Sequence, residues 1–119
     1  MASPLGYGYP GRDGALLGRS LGGAVILIDG HIEKLWFKAG DKGTRVRKTA
    51  PTCIVLHHTA GEGGAHQVFN TLKRRGLSVH FVLDSDGRVT QMADLDTICS
   101  HAGFMNAPSI GIEITNRGV

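Results

Sequence analysis

The chain has 119 residues, 41% of them hydrophobic and 19% charged, which fits one folded domain with a single core and excludes wholesale disorder. Its formal net charge is +3, and its two cysteines, Cys53 and Cys99, are too far apart for a CxxC metal knuckle or a disulfide scaffold. The apolar run "GAVILI" is far shorter than the roughly 20 residues of a membrane span. We therefore predict no membrane span, no classical signal peptide and synthesis in the cytoplasm.

The first 50 residues divide into two predicted segments. Residues 1–23 are rich in glycine without a stable period, which predicts an extended N-terminal arm. In residues 24–50, two apolar runs flank Asp29-Gly30 and predict a β-hairpin, followed by a basic loop. This loop is either a surface for an anionic polymer or an ordinary solvated loop, and no aromatic residues interleave with its charges, which weighs against nucleic acid. Its basic residues are Lys38, Lys42, Arg45, Arg47 and Lys48.

Residues 51–119 show clearer periodicity. "TCIVLHH" predicts a buried strand, and "AHQVFNTLKRRG" predicts a short amphipathic helix that ends at Gly76. "LSVHFVLDSDGRVTQM" predicts a second hairpin, and "SIGIEIT" predicts a last strand. "ADLDTICSHAGFMNAP" has no clear period and predicts a loop with one helical turn. The order of these elements predicts a mixed α/β domain with a central β-sheet.

Three polar features of this domain are candidates for chemistry. His57 and His58 follow one another at the end of a strand, so they point to opposite faces and only one can enter a given site. His101 lies in a loop of small residues. Glu113 is either an outward-facing strand residue or a carboxylate with a raised pKa that suits a general base. Histidines and a carboxylate fit a metal site or an acid-base pair, so the pattern alone indicates a hydrolase.

The segments "IVLHHTAG", "SVHFVLDSDGRVTQ" and "SHAGFMNAPSIGIEI" occur in the order and spacing of a known family. Over about residues 51–115 the chain resembles the zinc-dependent N-acetylmuramoyl-L-alanine amidases, which include phage endolysins, bacterial anhydro-muropeptide amidases and animal peptidoglycan recognition proteins. The resemblance implies a mixed sheet with helices on its faces and a zinc ion in a groove. It also implies hydrolysis of the amide between the lactyl group of N-acetylmuramic acid and L-alanine.

The resemblance assigns roles to five residues. It implies that His57 is a zinc ligand and that Glu113 is the general base. It implies that His101 lines the substrate groove, and that Asn106 and Ser109 shape the wall of that groove.

The family takes its other zinc ligands from a segment beyond the "SIGIE" strand, whereas this chain ends at Val119. We therefore expect residues 51–119 to be the N-terminal part of a phage or bacterial amidase domain that acts on the cell wall. The remaining ligands would then come from a continuation of the chain or from a second chain. Two alternatives stay open: His80 or His101 replaces the missing ligands, or the chain is a non-catalytic peptidoglycan-binding or virion structural module. Nucleic acid is not a predicted partner, because only the charge supports it.

Overall fold

A computed structural model describes residues 32–61 and 63–117 of the chain. The elements of these residues, in chain order, are β1 (Ile32–Phe37), β2 (Thr44–Val46), β3 (Cys53–His58), α1 (Ala65–Arg75), β4 (Phe81–Leu83), β5 (Val89–Ala93), β6 (Thr97–Cys99), a 3-10 turn (Gly103–Met105) and β7 (Ser109–Ile114). The predicted arm and the first strand of the hairpin at Asp29-Gly30 lie outside the described residues. Within the described residues, no helix has the length and apolarity needed to cross a membrane.

Five of the strands form one sheet, in the order β1-β5-β4-β7-β3. β1 runs parallel to β5, and β7 runs parallel to both β4 and β3, whereas β4 and β5 are antiparallel. β2 and β6 form a separate two-stranded antiparallel sheet. The predicted fold class, a mixed α/β domain with a central mixed sheet, is confirmed.

Helix α1 covers one face of the sheet, as its amphipathic pattern predicts. Its buried residues Val68 and Leu72 pack in a core cluster with Phe37, Val82 and Met92. The helix ends at Gly76, whose φ of 72° places it in the left-handed conformation that glycine adopts without strain. The second predicted hairpin, formed by β4 and β5, is also present. In its turn, Gly87 has a φ of 90° and donates its N–H to the carbonyl of Asp84 at 2.8 Å.

Two predictions about strands are wrong. β3 was predicted to be buried, but among the described residues it is the edge strand of the sheet, and Ile54 and Leu56 are 61% and 62% exposed. An all-apolar run does not reveal whether a strand has one neighbour or two, and β7 takes the inner position. β6 lies in a segment predicted as loop, because a three-residue strand paired with the distant β2 leaves no local pattern.

The basic loop is also different from the prediction at one position. Arg47 is only 7% exposed, so it does not belong to an exposed basic surface. The nitrogen atoms of its guanidinium donate to four main-chain carbonyls, those of Leu95 at 2.8 Å, Thr97 at 3.2 Å, Ala107 at 2.5 Å and Ser109 at 2.8 Å. Arg47 thereby ties the end of β2 to the segment before β6 and to the start of β7.

The strands before residue 51 pair with strands after it. β1 lies beside β5 in the large sheet, and β2 lies beside β6. The division into segments 1–23, 24–50 and 51–119 stays a prediction from composition and resemblance.

Candidate active site

His57 and Glu113 are neighbours across the parallel strands β3 and β7. The carboxyl ends of both strands lie at this edge of the sheet, where open α/β sheets tend to place their sites. His57 is half-buried and His58 is exposed, in agreement with the alternation expected for a strand. Both histidines also border an open recess with Leu56 and Ile114.

His57 contacts the predicted groove residue His101 directly. His57 Nε2 lies 2.9 Å from His101 Nδ1, and the two rings meet edge to face with their centroids 5.1 Å apart. Burial, together with the nearby His57 and Arg47, lowers the pKa of His101 to about 4. His101 is therefore neutral at physiological pH and can act only as one donor and one acceptor.

The ring of His101 lies against the backbone of β7 at Gly111. A Cβ atom at this position would be 2.7 Å from His101 Cε1 and Nε2, closer than such atoms approach in proteins. Only glycine leaves room for the ring, which explains why a glycine occupies this position of "SIGIE". The open face that the alternation of this strand predicts is filled here by an imidazole.

Asn106 and Ser109 hold the loop that carries His101. Asn106 Oδ1 accepts the N–H groups of His101 at 2.9 Å and Ala102 at 2.7 Å. Ser109 is 0% exposed, and its hydroxyl lies 3.2 Å from His101 Nε2 while donating to the carbonyl of Met105 at 2.6 Å. In this structure both residues contact His101 and hold it in place. The prediction that they shape the groove wall stays a prediction.

Glu113 borders a cleft of about 270 Å³ between α1 and the end of β3. Burial raises the pKa of its half-buried carboxyl above the ordinary value of 4.5, and the nearby His57 and His58 partly oppose this change. His58 also lines the cleft, whereas His57 does not. The side of the cleft formed by α1 includes three residues spaced four apart: Gln67, Thr71 and Arg75. The sequence analysis did not identify these residues as candidates.

His80 has a structural place in the sheet. It is fully buried, with Nε2 2.6 Å from the carbonyl of Thr97, and its Nδ1 accepts the N–H of Gly111 at 3.0 Å. Burial lowers its pKa to about 3, so the ring stays neutral. Because the main chain engages both ring nitrogens, His80 has none left for a metal ion in this conformation.

The described residues do not complete a metal site. Within residues 32–61 and 63–117, no group of three or more histidine, cysteine, aspartate or glutamate side chains is arranged to hold a metal ion. A catalytic zinc ion normally has three protein ligands, and His57 with His101 would supply at most two. No step of a reaction is therefore assigned to a metal held by these residues alone.

Two solved structures place this geometry among known proteins. A mutant endolysin from Bacillus subtilis matches with 26% identity and a TM-score of 0.58, over 73% of this chain and 61% of that protein. A selenomethionine derivative of AmpD matches in fold with 22% identity and a TM-score of 0.53, over 71% of this chain and 62% of that protein. The chain thus spans about three fifths of each, and no functionally curated protein matches its sequence.

The sequence profile of one family matches residues 47–119, which is more than half of the chain. This match begins at Arg47 and includes both histidines of β3, the loop of His101 and Glu113. The chain therefore belongs to the N-acetylmuramoyl-L-alanine amidase family Amidase_2.

Proposed function

We propose that this chain carries the N-terminal part of an enzyme that hydrolyses the amide between N-acetylmuramic acid and L-alanine in peptidoglycan. The observation that carries the proposal is Glu113, a half-buried carboxyl with a raised pKa that shares a cleft with His58 and lies beside His57 across the parallel strands β3 and β7. A carboxylate in this state is a suitable general base near neutral pH. Family membership supports the same class of reaction.

In this proposal Glu113 accepts a proton from the attacking water. His57 is one ligand of a zinc ion, and the remaining ligands lie outside the described residues, on a continuation of the chain or on a second chain. When bound, zinc supplies a Lewis acid that polarises the amide carbonyl and acidifies water. The His101 loop, held by Asn106 and Ser109, forms one wall of the groove that receives the substrate.

The charge distribution suits a substrate with free carboxylates. Arg75 lines the cleft next to Glu113, and its exposed position allows it to pair with an anion in solvent. The exposed cations of the basic loop, without Arg47, extend the positive surface: Lys38, Lys42, Arg45 and Lys48. We propose the bacterial cell wall as the place of action of this phage-encoded or bacterial protein.

The assay for this function is the release of L-alanine amino groups from purified sacculi, with added Zn²⁺, by the chain together with the segment that supplies the remaining zinc ligands. Glu113→Gln should lower the rate by at least about 100-fold, because removal of a general base typically costs this much. Asp86→Asn, the matched change in the exposed β4–β5 turn, should leave the rate unchanged. A Glu113→Gln variant as active as the wild type would contradict the assignment of the base.

A second candidate, a non-catalytic peptidoglycan-binding or virion structural module, is favoured by the absence of a three-ligand group within the described residues. This candidate predicts co-sedimentation with sacculi without release of amino groups, and no zinc in elemental analysis. Stoichiometric zinc in the chain together with the ligand-bearing segment, lost in His57→Ala, would support the enzyme instead.

A further inference from the structure

The hydroxyl of Ser109 has only one proton, and its neighbours determine where this proton lies. Ser109 Oγ is 2.6 Å from the carbonyl oxygen of Met105, which can only accept a hydrogen bond. If the hydroxyl pointed elsewhere, two oxygen atoms would face each other at this distance without a proton between them. The hydroxyl of Ser109 therefore donates its proton to the carbonyl of Met105. Only the lone pairs of Oγ remain to accept a hydrogen bond from His101.

This assignment determines the proton positions of both imidazoles. His101 Nε2, 3.2 Å from Ser109 Oγ, must carry the proton of that hydrogen bond. At a pH above the ordinary histidine pKa of about 6.5 the ring carries only one proton, so Nδ1 is then an acceptor. His57 Nε2, 2.9 Å away, must donate, which leaves the lone pair of His57 on Nδ1.

We propose that Ser109 is a positioning residue whose hydroxyl fixes the tautomers and orientations of His101 and, through it, of His57. The proposal concerns the site of the proposed amidase and rests on that function only for the role of His57 as a ligand. An outer hydrogen bond that selects the tautomer of a ligating histidine decides which nitrogen it presents to a metal ion. Ser109 thus selects Nδ1 of His57 as the nitrogen with a free lone pair.

The backbone around Ser109 is held firmly enough for this role. Arg47 donates to the carbonyls of Ala107 at 2.5 Å and Ser109 at 2.8 Å, on either side of Pro108. The carbonyl of Pro108 accepts the N–H of Thr52 at 2.8 Å. The ring of His101 also lies against Gly111, so the hydroxyl and the ring cannot drift apart without moving β7.

The test is imidazole nitrogen NMR on the full 119-residue chain, without metal and at about pH 7.5, above the ordinary histidine pKa of about 6.5. We expect His57 and His101 both to be protonated at Nε2, with ring N–H protons protected from water. His80, whose Nε2 is bonded to Thr97, supplies an internal reference. In Ser109→Ala, the ring N–H protons of His57 and His101 should exchange at least about tenfold faster, while that of His80 stays protected.

Ser78→Ala is the matched control. Ser78 is as buried as Ser109, and its hydroxyl donates to Gly43 and accepts from the N–H of Ser100, but it bonds no imidazole. All three ring N–H protons should stay protected in this variant. Wild-type His101 protonated at Nδ1, or unchanged protection of His57 and His101 in Ser109→Ala, would overturn the proposal. The wild-type spectrum decides the question if Ser109→Ala does not fold, and none of these readouts depends on amide hydrolysis.

Discussion

Gly111 is the residue at which the ring of His101 contacts the backbone of β7, and its missing side chain makes this contact possible. Gly111→Ala should push the ring away from Ser109 and break the hydrogen bond between His57 and His101. We expect a loss of about 1–3 kcal/mol in the free energy of unfolding, the usual cost of adding a methyl group to a packed site. Urea denaturation measures the loss, and imidazole NMR reports the broken contact.

Gly61→Ala is the control for this change, because a Cβ there would have only one neighbour within 4 Å, an ordinary contact at 4.0 Å. Its free energy of unfolding should change by no more than about 0.5 kcal/mol. Equal losses in the two variants would show that the ring of His101 does not depend on the space at Gly111.

At the residue level, sequence reasoning found the candidates but not how they are connected. The alternation rule alone predicts that His57 and His58 lie on opposite faces, since it needs no tertiary information. The contact between His57 and His101 joins residues 44 positions apart, which no local pattern reveals. Gly111 did leave a signal, a glycine in a β-strand, which often marks the close approach of another group.

Among the elements, the start of β7 depends most directly on a single distant side chain, Arg47. Arg47→Met should lower the free energy of unfolding by about 3 kcal/mol or more, because several buried carbonyls lose a charged donor. Arg47→Lys should recover only part of this loss, since an ammonium group lacks the planar fork of the guanidinium. Urea denaturation of the three proteins gives the comparison.

Arg45, two residues earlier and exposed, supplies the control. Arg45→Met should change the free energy of unfolding by no more than about 0.5 kcal/mol. If Arg47→Met were as stable as Arg45→Met, the four hydrogen bonds would not hold the segment before β7.

Elements with a local signal were predicted correctly, and those defined by distant partners were not. α1 has its apolar stripe and a glycine stop, and the β4–β5 hairpin has its Asp86-Gly87 turn. The edge position of β3, the strand β6 and the burial of Arg47 all depend on neighbours far along the chain. The sequence analysis included Arg47 among the basic residues of the loop, because composition contains no information about burial.

For the whole molecule, the neutral imidazoles of the fully buried His80 and the half-buried His101 predict sensitivity to acid. The pKa values of His80 and His101 are lowered from 6.5 to about 3 and about 4, so between these values the unfolded chain binds more protons than the folded one. The contribution of these two histidines to the free energy of unfolding should therefore be greatest above about pH 6.5 and should fall as the pH decreases toward 4. Two such groups give a slope of up to about 2.7 kcal/mol per pH unit.

Urea denaturation between pH 7 and pH 4 checks this prediction. A Glu113→Gln background removes the opposite contribution of the raised pKa of Glu113. In that background His80→Gln should reduce the slope by about half, to roughly 1.4 kcal/mol per pH unit. A slope that His80→Gln leaves unchanged would mean that His80 is not the group that takes up the proton on unfolding.

The hydrogen bonds of Arg47 also bear on where the smallest independently folding unit begins. Every residue with a predicted role in the site lies after Pro51, so a shortened chain that starts there would keep all of them. It would lose the guanidinium that holds the carbonyls on either side of Pro108, and it would lose the strand β1 that borders β5. A unit that preserves the geometry of the site must therefore begin no later than β1, well before the first residue that takes part in its chemistry.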